Sequence, residues 1–197
     1  MNIVLYGEEK LLLAQRLEDL KKKYQCISDD MNYMVYHAGE TPMKEIIEDA
    51  LTQPFLTEYK MVVLKNPIFL TKEKPKKKLV TDEDIKLFLD YIEHDNPTTI
   101  FVIYQDQRNF DERKKVVKSL RKHAKWYEME KLTFDQLYKT TREAIIRRNA
   151  SIDDDALTLL LDRCGNDLLT ISNQVEKLCL YTHNIKKEDV ERLVPPR

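Results

Sequence analysis

The chain has 197 residues, with 33 Lys and Arg against 34 Asp and Glu, for a formal net charge of -1. That balance excludes a global electrostatic pull toward nucleic acid or a membrane surface, and the length suits one or two domains with a real core. Three glycines exclude collagen-like or linker-rich chains, three scattered cysteines in no C-x-x-C pair exclude a disulfide framework or zinc site, and no apolar run approaches the roughly 20 residues of a membrane helix.

Asn2 to Tyr6 reads as a short buried strand that Gly7 ends, and Glu8-Glu9-Lys10-Leu11-Leu12-Leu13 opens a helix. A G-x-x-x-x-G-K-[ST] phosphate loop belongs at this strand-to-helix turn in an ATP-hydrolysing α/β domain. Here a single glycine stands before two glutamates, with no Lys-Ser/Thr pair, and two carboxylates repel a triphosphate. The position of a nucleotide site is present without its chemistry. This favours a binding or lever protein over an enzyme. Acidic residues within eight positions of Met1 do not suit a signal peptide, and a cytoplasmic location is expected.

Further strands are predicted at Tyr33 to Tyr36, Met61 to Leu64, Ile100 to Tyr104 and Trp126 to Met129. They are β-branched or aromatic and lack polar alternation, as strands covered on both faces of a parallel sheet do. Helical patterns separate them. Leu11, Leu12, Leu17 and Leu20 mark the first; Thr41-Pro42 predicts an N-cap followed by proline at the first helical position. Met43, Ile46, Ile47, Ala50 and Leu51 form the apolar stripe of that second helix. Thr81 to Asp84 predicts another cap, with Val80 and Ile85 as a hydrophobic staple.

The pattern changes near Leu132. Thr133-x-x-Gln136 is a capping box, and only helices are expected beyond it. The first runs from about Thr133 to Arg148. The second starts at Asp153 and stops at Gly165, expected as a left-handed C-terminal residue. The third carries Leu168, Ile171, Val175 and Leu178, and the last covers Lys186 to Leu193. Pro195-Pro196 reads as an interdomain connector, so the chain is expected to be a piece of a longer protein. Cys164 and Cys179 are expected as small core residues.

Few residues offer chemistry. Asp106, after the fourth strand, is a weak magnesium candidate without phosphate ligands beside it, and the four histidines show no metal spacing. Gln53-Pro54-Phe55-Leu56-Thr57 is more informative. It joins an amphipathic helix to a strand, so it lies at one end of the sheet, and proline holds two large apolar neighbours in a defined turn. Phe55 and Leu56 either cap the sheet edge or form an exposed wedge for a partner's pocket. Lys72 to Lys78 reads as a solvated basic loop. Arg113, Lys114, Lys115, Lys118, Arg121 and Lys122 decorate a predicted helix over 113–122; a solvated face is the default, and nucleic-acid contact the alternative.

The order of these segments resembles the delta subunit family of the bacterial DNA polymerase III clamp loader. The matching stretches begin with Leu5-Tyr6-Gly7-Glu8-Glu9, then Gln53-Pro54-Phe55-Leu56 before Lys60-Met61-Val62-Val63-Leu64, and Asn66-Pro67-Ile68-Phe69-Leu70-Thr71 before a lysine-rich loop. They continue through Arg148-Asn149-Ala150, Gly165-Asn166-Asp167-Leu168, Ile171 to Leu178 and Asp189-Val190. The resemblance covers nearly the whole chain. It implies an AAA+-like, P-loop-NTPase-like parallel-sheet domain over residues 1–131 without a functional phosphate loop. A small all-helical lid domain follows over 132–197, and the family's helical collar domain lies outside this chain.

The resemblance further implies no cofactor, no metal and no intrinsic active site, although the family serves a DNA-directed DNA polymerase, a nucleotidyltransferase. The implied partners are the sliding clamp (beta), the loader's tau/gamma ATPase subunits, delta-prime, and DNA through the complex, with this piece expected as a monomer. Members bind the clamp ring and open it or hold it open during replication. Their hydrophobic wedge falls here on Pro54, Phe55 and Leu56, Leu56 departing from the two aromatics or Leu-Phe pair of many relatives. Lys114, Lys118, Arg121 and Lys122 are the candidate DNA-facing residues. A nucleotide-binding regulatory domain, or a DNA-binding module using the basic helix, are the alternatives.

Overall fold

The computed structural model describes residues 1–26, 31–73, 80–94 and 96–196. The chain divides into two compact units, Met1–Glu130 and Lys131–Arg197. The lysine-rich run at 74–78 lies outside the described residues.

The first unit holds β1 (Asn2–Gly7), α1 (Lys10–Lys23), β2 (Tyr33–His37), α2 (Met43–Leu51), β3 (Lys60–Lys65), α3 (Asp82–Glu93), β4 (Thr99–Gln105), α4 (Lys115–His123) and β5 (Ala124–Met129), with a 3-10 turn at Ile68–Leu70. The sheet order is β2-β3-β4-β1-β5, and every neighbouring pair is parallel. Parallel pairing demands crossovers, and helices supply them. Alternate residues of one strand serve opposite faces. Val4, Val62, Leu64, Phe101 and Ile103 meet the stripes of α2, α3 and α4. Ile3, Leu5, Met61, Val63, Ile100 and Val102 meet Leu13, Leu17 and Leu20 of α1. The central strands are therefore apolar on both sides, and edge strand β2 is only half-buried.

Local chemistry sets the helix ends. Thr81 and Asp84 form the expected capping box of α3: the Asp84 amide donates to the Thr81 hydroxyl and the Thr81 amide to the Asp84 carboxylate. At α2 the cap position falls on Pro42 itself, without a side-chain cap, one residue later than the Thr41-Pro42 reading. Leu51, expected on the buried stripe of α2, is exposed; as the last helical residue it turns away from the core. Gly7 is required by a close approach. Its φ is 141°, and a Cβ there would stand 2.2 Å from the Met129 carbonyl oxygen.

The second unit contains α5 (Phe134–Ile146), α6 (Asp154–Cys164), α7 (Leu168–Tyr181) and α8 (Lys187–Leu193). Thr133 and Gln136 close the capping box of α5. The helices bury Leu137, Ile145, Leu157, Leu160, Leu161, Ile171, Val175, Leu178 and Val190. Besides helices there is a two-residue parallel pair, β6 (Ser151–Ile152) with β7 (Asn184–Ile185), too short to show any period. Gly165 has the expected positive φ of 65°, but its ψ of -146° lies outside the left-handed helical region, in a glycine-only conformation. Cys164 is buried, whereas Cys179 is only half-buried.

Candidate functional site

The connector between α2 and β3 is anchored at its two ends and bare in the middle. At its base Lys60, the first residue of β3, is 2 % exposed. Its ammonium donates to the Asp49 carbonyl at 2.8 Å, the Asp49 carboxylate at 2.6 Å and the Thr52 hydroxyl at 2.8 Å. All three ammonium protons are thus used, and a positive charge sits at the C-terminal end of α2, where carbonyl dipoles favour it. The Thr99 hydroxyl also donates to the Ala50 carbonyl at 2.7 Å, and the Asn96 amide to the Leu51 carbonyl at 3.2 Å.

Above this base the chain passes through Pro54, Phe55 and Leu56. Asn32 holds Phe55 by both polar backbone atoms: its Oδ1 accepts from the Phe55 amide and its Nδ2 donates to the Phe55 carbonyl, each at 2.7 Å. The next residue, Leu56, has φ 57°, a left-handed conformation that costs a non-glycine residue of order 1 kcal/mol. Phe55 is 54 % exposed and Leu56 89 %. Neither side chain is buried as a cap on the sheet edge would be. Exposed Leu51 adjoins the connector in sequence, and exposed Met31 precedes Asn32.

The Tyr36 hydroxyl donates to the other Asp49 carboxylate oxygen at 3.2 Å. Burial, then the Asp49 charge and this hydrogen bond, push its ionisation up to about 12. A raised phenol favours the neutral form in the fold. Its stabilisation is therefore complete below the ordinary tyrosine value of about 10 and is lost as pH rises through 12. Relative to wild type, Tyr36→Phe should lose one phenolate's worth of absorbance at the high-pH end of the tyrosine titration; an unchanged titration curve would contradict the assignment.

The strand-to-helix turn after β1 is occupied by the protein's own backbone. The Glu9 amide donates to the Met129 carbonyl at 3.3 Å, at the position where Gly7 abuts β5. Glu9 is buried at the N-cap of α1, and Glu8 is exposed beside it. Negative side chains thus occupy the helix end that would otherwise attract phosphate. Asp106 faces Lys10 at 3.8 Å. Among the described residues no group of three or more His, Cys, Asp or Glu gathers as a metal site. No described helix is long and apolar enough to cross a membrane.

Of the basic residues of 113–122, Lys115, Lys118, Arg121 and Lys122 are exposed on one face of α4, and the other two lie apart from it. Arg113 and Lys114 precede α4, which begins at Lys115. Arg113 pairs with Asp111 at 2.9 Å and holds that carboxyl down to about 2. The Lys114 ammonium turns to the Phe69 and Thr71 carbonyls at 3.0 and 2.7 Å. Arg121 lies 3.6 Å from the centre of the Trp126 ring and pairs with Glu112 at 2.6 Å. Lys118 and Lys122 are exposed. Lys114 thus braces the 3-10 turn and Arg121 covers an aromatic cluster of Tyr6, Phe110 and Trp126.

Sequence reading missed Asn32, Asp49 and Lys60. A lysine at the head of an apolar strand was a usable signal for Lys60; Asn32 offered none.

Comparison with known proteins bears on the fold and the family. A family model described as DNA polymerase III, delta subunit, matches residues 4–130. The DNA polymerase III subunit delta of Bacillus subtilis (strain 168) is 32% identical over 197 residues, covering 96% of this chain and 55% of that protein. The solved Bacillus subtilis DNA clamp loader delta protein matches with a TM-score of 0.74 and 31% identity, over 100% of this chain and 58% of that one. The Thermotoga maritima RuvB Holliday junction branch migration motor matches with a TM-score of 0.58 at 12% identity, over 98% of this chain and 61% of that one, a likeness of fold. The chain spans little more than half the length of the two Bacillus subtilis relatives.

Proposed function

The chain belongs to the DNA polymerase III delta subunit family, with its AAA+-like parallel-sheet fold, and on that premise we propose that it grips the sliding clamp through Pro54, Phe55 and Leu56. Phe55 and Leu56 enter an apolar pocket on the clamp, and the α/β body bears on the surface beside it. Gripping there opens the ring or holds it open for loading onto primed DNA. The chain does this without catalysis of its own, as part of a loader whose tau/gamma ATPase subunits and delta-prime come from other chains. The observation that carries the reading is the exposed Phe55-Leu56 pair on a doubly anchored connector. Residues 1–131 act as the gripping domain and 132–197 as the lid.

The turn after β1 supports an ATP-independent grip, because backbone and two glutamates stand where phosphates would be cradled. The DNA-binding alternative retains exposed Lys115, Lys118 and Lys122, while backbone carbonyls hold the Lys114 ammonium and Arg121, itself exposed, stacks on Trp126 and pairs with Glu112. Titrating the chain, wild type and Phe55→Ala/Leu56→Ala, against the purified clamp tests the proposal. Saturable binding by the wild type and its loss in the variant are expected; equal binding by both would place the contact elsewhere.

A further inference from the structure

We infer that Asn32 is a positioning residue for the clamp-gripping tip: its side-chain amide holds the Phe55 backbone in the pose that presents Phe55 and Leu56. The inference rests on the reading of the tip given above and deepens it.

Asn32 lies just before β2, and its own carbonyl accepts from the Met61 amide at 2.7 Å, which ties it to β3. Its side chain reaches the other way, to Phe55, with one bond given and one received. A carboxamide carries the donor and acceptor of a peptide group, so this exchange copies the two-way pairing of antiparallel neighbours. Aspartate could accept from the Phe55 amide but would set a carboxylate against the Phe55 carbonyl, and alanine would supply neither bond. Asn32 is 1 % exposed, so water does not compete for these bonds.

What the clamp holds is a tip that the fold does not otherwise need. Leu56 projects into solvent from a left-handed backbone conformation, where glycine or asparagine would fit with less strain. An unfavourable backbone angle beneath an exposed apolar side chain points from strain to use. Without the Asn32 amide the connector would spread over several poses. A partner that binds one pose would then meet only the competent fraction, and its apparent affinity would fall by that fraction.

The test compares Asn32→Ala and Asn32→Asp with wild type in the 197-residue chain, by amide hydrogen exchange and by affinity for the sliding clamp, each also in a Phe55→Ala/Leu56→Ala background. In Asn32→Ala the Phe55 amide should exchange at least about tenfold faster while the Val62 and Val63 amides of β3 keep their protection. Clamp affinity should fall about tenfold with Phe55 and Leu56 present and about twofold or less with both removed, because the amide acts through the tip. Asn32→Asp should protect the Phe55 amide better than Asn32→Ala and bind the clamp with intermediate affinity. An affinity within twofold of wild type despite a freed Phe55 amide would overturn the inference, as would an equal loss in both backgrounds. If Leu56→Ala and Phe55→Ala leave clamp binding at wild-type strength, the tip reading itself fails and the inference with it. That failure is read at the tip residues, whereas failure of the positioning role alone is read at Asn32.

Discussion

Replacing Phe55 and Leu56 together by alanine should reduce affinity for the sliding clamp by about two orders of magnitude while lowering the melting temperature by no more than about 5 °C. Burying a large apolar side chain contributes about 1.5–3 kcal/mol when it starts fully exposed. Leu56 starts nearly so, and Phe55 has about half its surface left to bury. The pair therefore supplies about 3 kcal/mol, a factor of about 150 in Kd. Interface energy concentrates in a few such anchors. The fold loses little, because neither side chain belongs to the buried core of the first unit. Titration calorimetry against the clamp and thermal denaturation of the same samples check both halves. A variant that binds within threefold of wild type, or that melts many degrees lower, would contradict the account.

Lys60→Met should destabilise the first unit by about 3 kcal/mol, lowering its melting temperature by roughly 10 °C. Methionine keeps the stem volume and removes the ammonium. The Asp49 carboxylate, the Asp49 carbonyl and the Thr52 hydroxyl then lose their shared donor together. Breaking a buried ion pair from one side costs about 3–5 kcal/mol, and partial solvent access to Asp49 reduces that figure. Adding Asp49→Asn should recover about half of the loss, since it removes the stranded charge, and this non-additivity marks the pair as coupled. Chemical denaturation of the two single variants and the double variant measures it. A single-variant loss below 1 kcal/mol would show that the pair does not hold the base of the connector.

The two predictions separate support from contact. Lys60, Asp49 and Asn32 hold the connector from beneath; Phe55 and Leu56 stand exposed above it as the proposed contact. That division explains what the amino-acid sequence could disclose. The strands of the sheet were legible because Val62, Val63, Leu64, Ile100, Phe101 and Val102 are buried on both faces and so form unbroken apolar runs. The exposure of Phe55 and Leu56 was legible because two large apolar residues after a proline, in a connector, have no shared core to enter.

The supports were hidden because their meaning lies in long-range pairing. Asn32 acquires its role only when the register Tyr33 to Met61 brings the start of β2 beside the connector. Lys114 looked like part of a basic helical face until the turn at Ile68–Leu70 presented its carbonyls to the ammonium. Leu51 fitted the helical period of α2, yet the helix ends there and the side chain leaves the core. The β6–β7 pair is fixed by the packing of its unit, two residues being too few to carry a pattern.

The central claim is a grip that works by apolar contact and needs no nucleotide. Equilibrium titration of the chain with the sliding clamp, with and without ATP and with no other loader subunit present, tests it most directly. The account predicts saturable binding of equal strength in both conditions. Absence of binding, or binding that appears only when ATP is added, would contradict it.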